Sequence, residues 1–263
     1  MLIVHGLLLA IRCHARFGAS GLVASADLND PSVSQVTIRC LLQHTAGGWS
    51  NAAPDPMMSN AGLSHSALII HTVTVDPAQR LSAPPGTRYA YSNFGYCVLA
   101  RCIEARDPQH RNYATHVQQE VFDRMGLTAS DEFAFAMSEQ APVSKEASAY
   151  CTRPALPPGA NAAPVEPAWI IADASAGPEP SIARMDAHGG WVASATGVVR
   201  FCAQIPTVLT AQSVEIMRAG SLASPGYGLG WSVNPDHSNA WHTGSLPGTS
   251  AMMISTGVPE ASA

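Results

Sequence analysis

The feature that most constrains the fold is a change of hydrophobic period along the chain. Across residues 92–105 apolar positions recur at helical spacing: Phe94, Val98 and Cys102 fall at i, i+4 and i+8, with Gly95, Leu99 and Ile103 beside them. A second stripe of Tyr113, Val117, Val121 and Met125 predicts another helix, with Gly126 placed to close it in a left-handed conformation. Near the C-terminus the period falls to two. Leu229, Trp231 and Val233 alternate with small or polar residues, residues 234–239 supply turn chemistry, a second strand starts at Ala240, and residues 251–255 can pair beside it. Helices gathered in the middle and an antiparallel hairpin at the end favour an α+β fold over a doubly wound sheet.

Smaller signals fill in the rest. Thr37 is placed to cap a short helix carrying Ile38, Leu41 and Leu42, which stops before Gly47-Gly48. A proline-marked loop, Pro54-Asp55-Pro56, precedes the apolar stretch Leu68-Ile69-Ile70, and Pro84-Pro85-Gly86 breaks the chain ahead of Tyr89. Ser194 caps a helix expected to bury Val198, Val199 and Cys202, with a shorter helix over residues 214–218. Residues 152–180 are proline-rich with little periodicity and read as an irregular surface excursion. At the N-terminus the apolar run of residues 2–11 precedes Ala24-Ser25-Ala26, which resembles a signal cleavage site. No basic residue comes before that run, His5 interrupts it, and Arg12, His14 and Arg16 lie ahead of the supposed cut. It reads as a buried helix or an out-of-context start, and at about ten residues it is too short to span a bilayer.

Composition removes several function classes. A net charge of −5 and a pI near 6.0 leave no electrostatic footprint for nucleic acid or an anionic membrane. The six cysteines contain no C-x-x-C pair, so the expectation is reduced, packed thiols rather than a zinc site or a disulfide frame. The histidines are dispersed and H-E-x-x-H is absent, so no metal and no cofactor is expected. G-x-S-x-G is also absent: Gly248-Thr249-Ser250 continues as Ala251-Met252, which excludes an α/β-hydrolase elbow.

Three segments carry candidate chemistry. Tyr91-Ser92-Asn93 puts a phenol and a carboxamide on one turn at a helix entry; the phenol can move a proton if a cation lowers its pKa, and the carboxamide can hold a substrate amide. The structural alternative is an ordinary cap by Ser92. His242-Thr243-Gly244-Ser245 lies on the second hairpin strand, where the glycine admits close approach of a ligand and the Ser245 N–H can face a developing oxyanion. Its alternative is a half-exposed strand histidine. Asp186-Ala187-His188-Gly189-Gly190-Trp191 reads as tight loop packing, since His188 has no evident carboxylate partner.

Taken together, the blocks resemble a known family. The run Val36-Thr37-Ile38-Arg39-Cys40-Leu41-Leu42-Gln43-His44-Thr45-Ala46-Gly47-Gly48-Trp49 is similar to the "ITxRxLLxHTxG" block of the β-lactamase-related serine hydrolases. Pro85-Gly86-Thr87-Arg88-Tyr89-Ala90-Tyr91-Ser92-Asn93-Phe94-Gly95-Tyr96 is similar to "PGTxxxYSNxGY". His188-Gly189-Gly190-Trp191 with Arg200-Phe201, then Tyr227-Gly228-Leu229-Gly230-Trp231, then Trp241-His242-Thr243-Gly244-Ser245-Leu246-Pro247-Gly248, follow in the family's order. The resemblance implies a β-lactamase/transpeptidase-like α+β fold, an antiparallel sheet flanked by helices plus a helical region, here incomplete at both ends. It divides the chain into an irregular segment 1–35, a partial domain 36–255 and a frayed tail 256–263.

The resemblance also implies roles. Tyr91 becomes a proton shuttle and Asn93 a positioning residue, while His242, Thr243 and Gly244 line one wall and Ser245 N–H is one oxyanion donor. The substrate would be a small molecule or peptide, attacked by the serine of an S-x-x-K motif to give an acyl-enzyme. That motif is missing. Lys145 is the only lysine in the chain and Pro142 stands three residues before it. The expectation is therefore a fragment or homologue that is inactive as it stands, with a peptide- or protein-binding cleft as the alternative. His242, where the family more often has lysine, tilts the reading away from efficient penicillin recognition, because a neutral imidazole anchors a carboxylate less well than an ammonium.

Overall fold

The computed structural model describes residues 23–52, 55–57, 60, 62–127, 133–135, 182–246 and 249–256. The N-terminal apolar run, the proline-rich stretch, Lys145, Pro247-Gly248 and residues 257–263 lie outside them.

Helix starts follow the capping residues. A 3-10 turn, Pro31–Gln35, begins where the Asp30 carboxylate accepts from Ser32 N–H, and it drives Val33 fully into the core. Helix α1 (Ile38–Leu42) starts at Thr37, whose hydroxyl accepts from Cys40 N–H at 3.1 Å. Ser64 caps α2 (His65–Ile70), which runs on into a π-helical turn, His71–Val75. Ser92 caps α3 (Asn93–Arg106), Asn112 caps α4 (Tyr113–Val117), Ser194 caps α5 (Ala195–Val208) and Thr210 caps α6 (Ala211–Arg218). Each such cap satisfies one orphan N–H and is worth about 1 kcal/mol.

Helix α3 is the centre of the helical region. Every residue from Phe94 to Ile103 is buried, because α1, α2 and α4 all pack against it. The predicted stripe is therefore a helix buried all round, as expected of one in a domain's interior. Helix α4 ends earlier than its stripe implied: after Val117 the backbone takes a π-helical turn, Gln118–Phe122, before Gly126 closes the unit at φ 67°. In α5 one expected core residue is corrected. Val199 is 69% exposed, since it points away from the face on which Gly197, Phe201 and Ile205 are buried.

The strands form two small antiparallel sheets. Strand β1 (Phe133–Phe135) pairs with β2 (Trp191–Ala193). Strands β3 (Ser232–Val233), β4 (Asn239–Leu246) and β5 (Thr249–Thr256) form the other, in that order. The β4–β5 hairpin runs from Asn239↔Thr256 to Leu246↔Thr249, with His242 opposite Met253, so β5 extends one residue into the predicted tail. Leu229 and Trp231 are buried as their alternation predicted, yet they are not strand residues. There the chain curls, Gly228 N–H donating to Trp231 O and Leu229 N–H to Met217 O, both at 2.7 Å. Cys40, Cys97, Cys102 and Cys202 are free thiols, and burial pushes Cys97 up to about 12.

Two glycines permit the loop contacts that build the site. Gly47 has φ 96°, and a Cβ there would stand 2.1 Å from Ala83 O. Gly228 brings the loop carrying Tyr227 so close to α6 that a Cβ would lie 2.3 Å from Met217 O. We expect Gly228→Ala to lower unfolding free energy by about 3 kcal/mol in urea titrations, as forced overpacking does. Gly62→Ala, where a Cβ meets nothing within 4 Å, is the control and should change it by no more than about 0.5 kcal/mol.

Candidate functional site

The site is organised around His44, in the loop leaving α1. Its backbone is left-handed at φ 55°, a conformation that costs a non-glycine residue about 1–2 kcal/mol. Four polar interactions hold it there. His44 N–H donates to Leu41 O at 3.2 Å, and its carbonyl accepts from Ala90 N–H at 2.7 Å. Its Nδ1 accepts from Ser92 N–H at 3.1 Å, and its Nε2 meets the Tyr227 hydroxyl at 3.2 Å. The ring is 1% exposed and packed among tyrosines: centroid separations are 4.2 Å to Tyr91, 4.9 Å to Tyr227, 5.0 Å to Tyr96 and 5.9 Å to Tyr89. Burial, then the neighbouring His242, pulls the His44 pKa well below the usual histidine range.

From His44 the contacts run to the sheet. The Tyr227 hydroxyl lies 3.0 Å from His242 Nε2, and His242 Nδ1 lies 2.7 Å from Thr243 O. Burial brings His242 down to about 4. The Tyr91 and His242 rings, far apart in sequence, stand 6.4 Å apart. Asn51 pins the Tyr91 turn from behind: its N–H donates to Tyr91 O at 3.0 Å, and its Oδ1 accepts from Asn93 N–H at 2.8 Å. Asn93 is half-buried at the first turn of α3, while Thr243, Gly244 and Ser245 continue along β4 as exposed residues. At Gly244 a Cβ would meet only Ala251 Cβ, at an ordinary 3.9 Å, so packing among the described residues does not require glycine there.

Burial raises the Tyr91 pKa, and the Tyr89 phenol raises it further. In this arrangement the phenol keeps its proton at neutral pH and is able to donate a hydrogen bond. The residues that hold these segments together, His44, Tyr227 and Asn51, were not assigned roles from sequence. The available signal was that His44 and Tyr227 both fall inside the family-like blocks, each next to a glycine-bearing turn.

The third segment serves a different network. Asp186 is buried and pairs with Arg101 of α3, while His65 Nε2 lies 3.3 Å from its other oxygen. Arg101 Nε also reaches Glu104 at 2.9 Å. Burial opposes ionisation of Asp186, yet the His65 contact and the Arg101 charge outweigh it and lower its pKa. His188 is buried with neither ring nitrogen hydrogen-bonded, and burial takes it down to about 4. This cluster ties the 182–190 turn to α2 and α3. Among the described residues no group of His, Cys, Asp or Glu is arranged to hold a metal ion, and no helix is long and apolar enough to cross a membrane.

The sequence model of the β-lactamase family matches residues 27–257. The chain belongs to the β-lactamase family. No curated protein matches it. Solved structures with the same fold include an octameric penicillin-binding protein homologue from Pyrococcus abyssi, 16% identical with a TM-score of 0.65, covering 97% of this chain and 57% of that one. A penicillin-binding protein from Bacillus halodurans is 15% identical with a TM-score of 0.64, covering 97% and 74%. The D-amino acid amidase from Ochrobactrum anthropi SV3, complexed with L-phenylalanine amide, is 17% identical with a TM-score of 0.61, covering 96% and 73%. The chain thus spans little more than half the length of the Pyrococcus protein. These likenesses bear out the β-lactamase/transpeptidase-like α+β fold.

The three depressed histidines predict acid sensitivity of this β-lactamase-family domain. An unfolded histidine titrates near 6.5, whereas His188 and His242 hold out to about 4 and His44 is also lowered. Between those limits the unfolded state binds more protons, so stability falls as pH drops from about 6.5 towards 4. We expect the pH dependence of urea unfolding to show uptake of about two to three protons on unfolding near pH 5. A flat profile between pH 7 and 5 would contradict the buried neutral histidines.

Proposed function

We propose that this chain forms the cleft of a serine hydrolase that works on the acyl carbon of an amide or ester, and that the chain alone does not turn substrate over. The observation that carries the reading is the meeting of Tyr91 and His242, on different elements, at 6.4 Å within a β-lactamase-family fold. Gly244 supports it: an exposed strand glycine without a packing reason among the described residues suits close approach of a ligand. In this reading the Tyr91 phenol donates to the ligand, the Asn93 carboxamide positions it, and Ser245 N–H faces the carbonyl oxygen. His242 is uncharged at neutral pH and does not suit a carboxylate anchor. That favours amides and esters over ligands recognised through an adjacent carboxylate. The amide in the Ochrobactrum amidase complex is a natural starting probe.

The expectation of no turnover rests on the sequence. No S-x-x-K occurs in the 263 residues, so neither the attacking hydroxyl nor the lysine that activates it is present. Losing a nucleophile and base that act as one unit removes on the order of 10⁶ in rate. The raised Tyr91 pKa adds to this, since that phenol cannot replace the base. The same facts favour a second reading, a cleft that binds a peptide without cleaving it.

Incubation with a chromogenic β-lactam and with p-nitrophenyl esters should give rates indistinguishable from buffer, and intact-mass spectrometry should show no adduct. A stoichiometric acyl adduct would contradict this. Phenylalanine amide should shift the Tyr91 and His242 ring resonances in NMR; if saturating amide leaves both unmoved, the cleft assignment fails.

A further inference from the structure

We propose that the outer edge of β5 is an interface between two copies of this chain, joined as antiparallel strands about a twofold axis at Met253. The surface is independent of what the cleft binds, so failure of either proposal leaves the other standing.

Strand β5 is the last in its sheet and is paired, among the described residues, with β4 alone. Alternate residues of an antiparallel strand turn their N–H and C=O groups away from the partner, so about half of its backbone groups face outward. Soluble proteins blunt such an edge with charge, proline or a bulge. This edge has none of them. Its sequence, Thr-Ser-Ala-Met-Met-Ile-Ser-Thr, holds no proline and no charged residue, and its pairing runs unbroken from Asn239↔Thr256 to Leu246↔Thr249. From His237 to Pro259 the sequence carries no Asp, Glu, Lys or Arg. The side chains beside the edge are apolar as well. Met252 is 62% and Ile254 52% exposed, and the exposed Val199 of α5 lines the same groove as Ile254. Single exposed apolar residues are ordinary, but three gathered at one unblunted edge form a patch that suits a partner.

Charge selects that partner. A twofold contact sets a strand against its own copy, so a charge near the axis meets its own sign. A strand free of charge escapes this repulsion, whereas contacts between different proteins draw specificity from complementary charges.

Geometry selects the register. Directly opposed residues of antiparallel strands point to the same face, so a twofold axis pairs residues whose numbers are both odd or both even. With Met252 on the axis, each Ile254 faces Ser250 of the other copy. With Met253 on the axis, Met252 of each copy faces Ile254 of the other, and the exposed apolar pair is covered twice. Met253 lies across from His242, so on the opposite face a row runs from His242 through both copies of Met253 to the second His242. At a strand spacing of about 4.8 Å the two histidines stand about 14 Å apart on one side of a continuous sheet.

One strand pair and one helix flank make a small contact, so the dimer is weak, with a Kd of about 10–100 µM. Sedimentation velocity on the wild-type chain, from about 1 to about 500 µM, tests it. The expected result is a shift from monomer to dimer with rising concentration. Monomer alone up to the highest concentration overturns the proposal, as do larger species, because a twofold contact closes at two copies. Met252→Glu and Ile254→Lys fall at exposed positions, so circular dichroism should be unchanged while each weakens association at least about tenfold. Combined in one chain, M252E and I254K face each other across the axis and should restore association to within about threefold of wild type. With Met252 on the axis, glutamate would instead meet glutamate. Single variants that associate like the wild type, or a double variant as monomeric as the single ones, overturn the proposal.

Discussion

A single buried imidazole, forced into left-handed backbone, joins the three segments on which the rest of the site depends. Through His44 the loop after α1 is tied to the turn before α3, and across 183 residues to Tyr227. The strain of about 1–2 kcal/mol is outweighed by four hydrogen bonds at about 1 kcal/mol net each, provided that none is left unmade. Leaving one unmade would be costly, since an orphaned buried polar group loses about 1–3 kcal/mol. The caps, the Gly47 turn and the close approach at Gly228 serve to bring each partner to that ring.

The molecule separates two kinds of buried polar chemistry. Around Asp186 the groups are charged: an arginine, a carboxylate and a histidine hold the 182–190 turn against α2 and α3. Around His44 the groups are neutral, phenols and imidazoles whose burial keeps them uncharged at pH 7. The first arrangement fixes a turn. The second joins the Tyr91 turn to the strand that carries His242 and holds them without charge.

How far this was legible in the sequence depended on the range of the signal. Local rules worked well: Thr37, Ser92 and Ser194 cap helices as expected, and residues 251–255 pair beside the strand that contains Ala240. Periodicity located burial better than conformation. Leu229 and Trp231 are core residues without being strand residues, because Gly228 lets the chain curl back on α6. Tyr91 and His242 were visible as motif residues, yet their placement at one site is a tertiary fact. His44 and Tyr227 were hidden for the same reason. A histidine in a Thr-Ala-Gly-Gly context and a tyrosine before a glycine carry no mark of a shared hydrogen bond until the fold brings them within 3.2 Å.

The most direct test of the account is an aromatic NOE experiment on the chain labelled at histidine. The rings of Tyr227 and Tyr91 lie 6.1 and 6.4 Å from that of His242 between centroids, close enough for their edge protons to exchange magnetisation. The account predicts cross-peaks from His242 to both tyrosines, and from His44 to Tyr91 and Tyr227. A folded protein in which His242 shows contacts to neither tyrosine would contradict it.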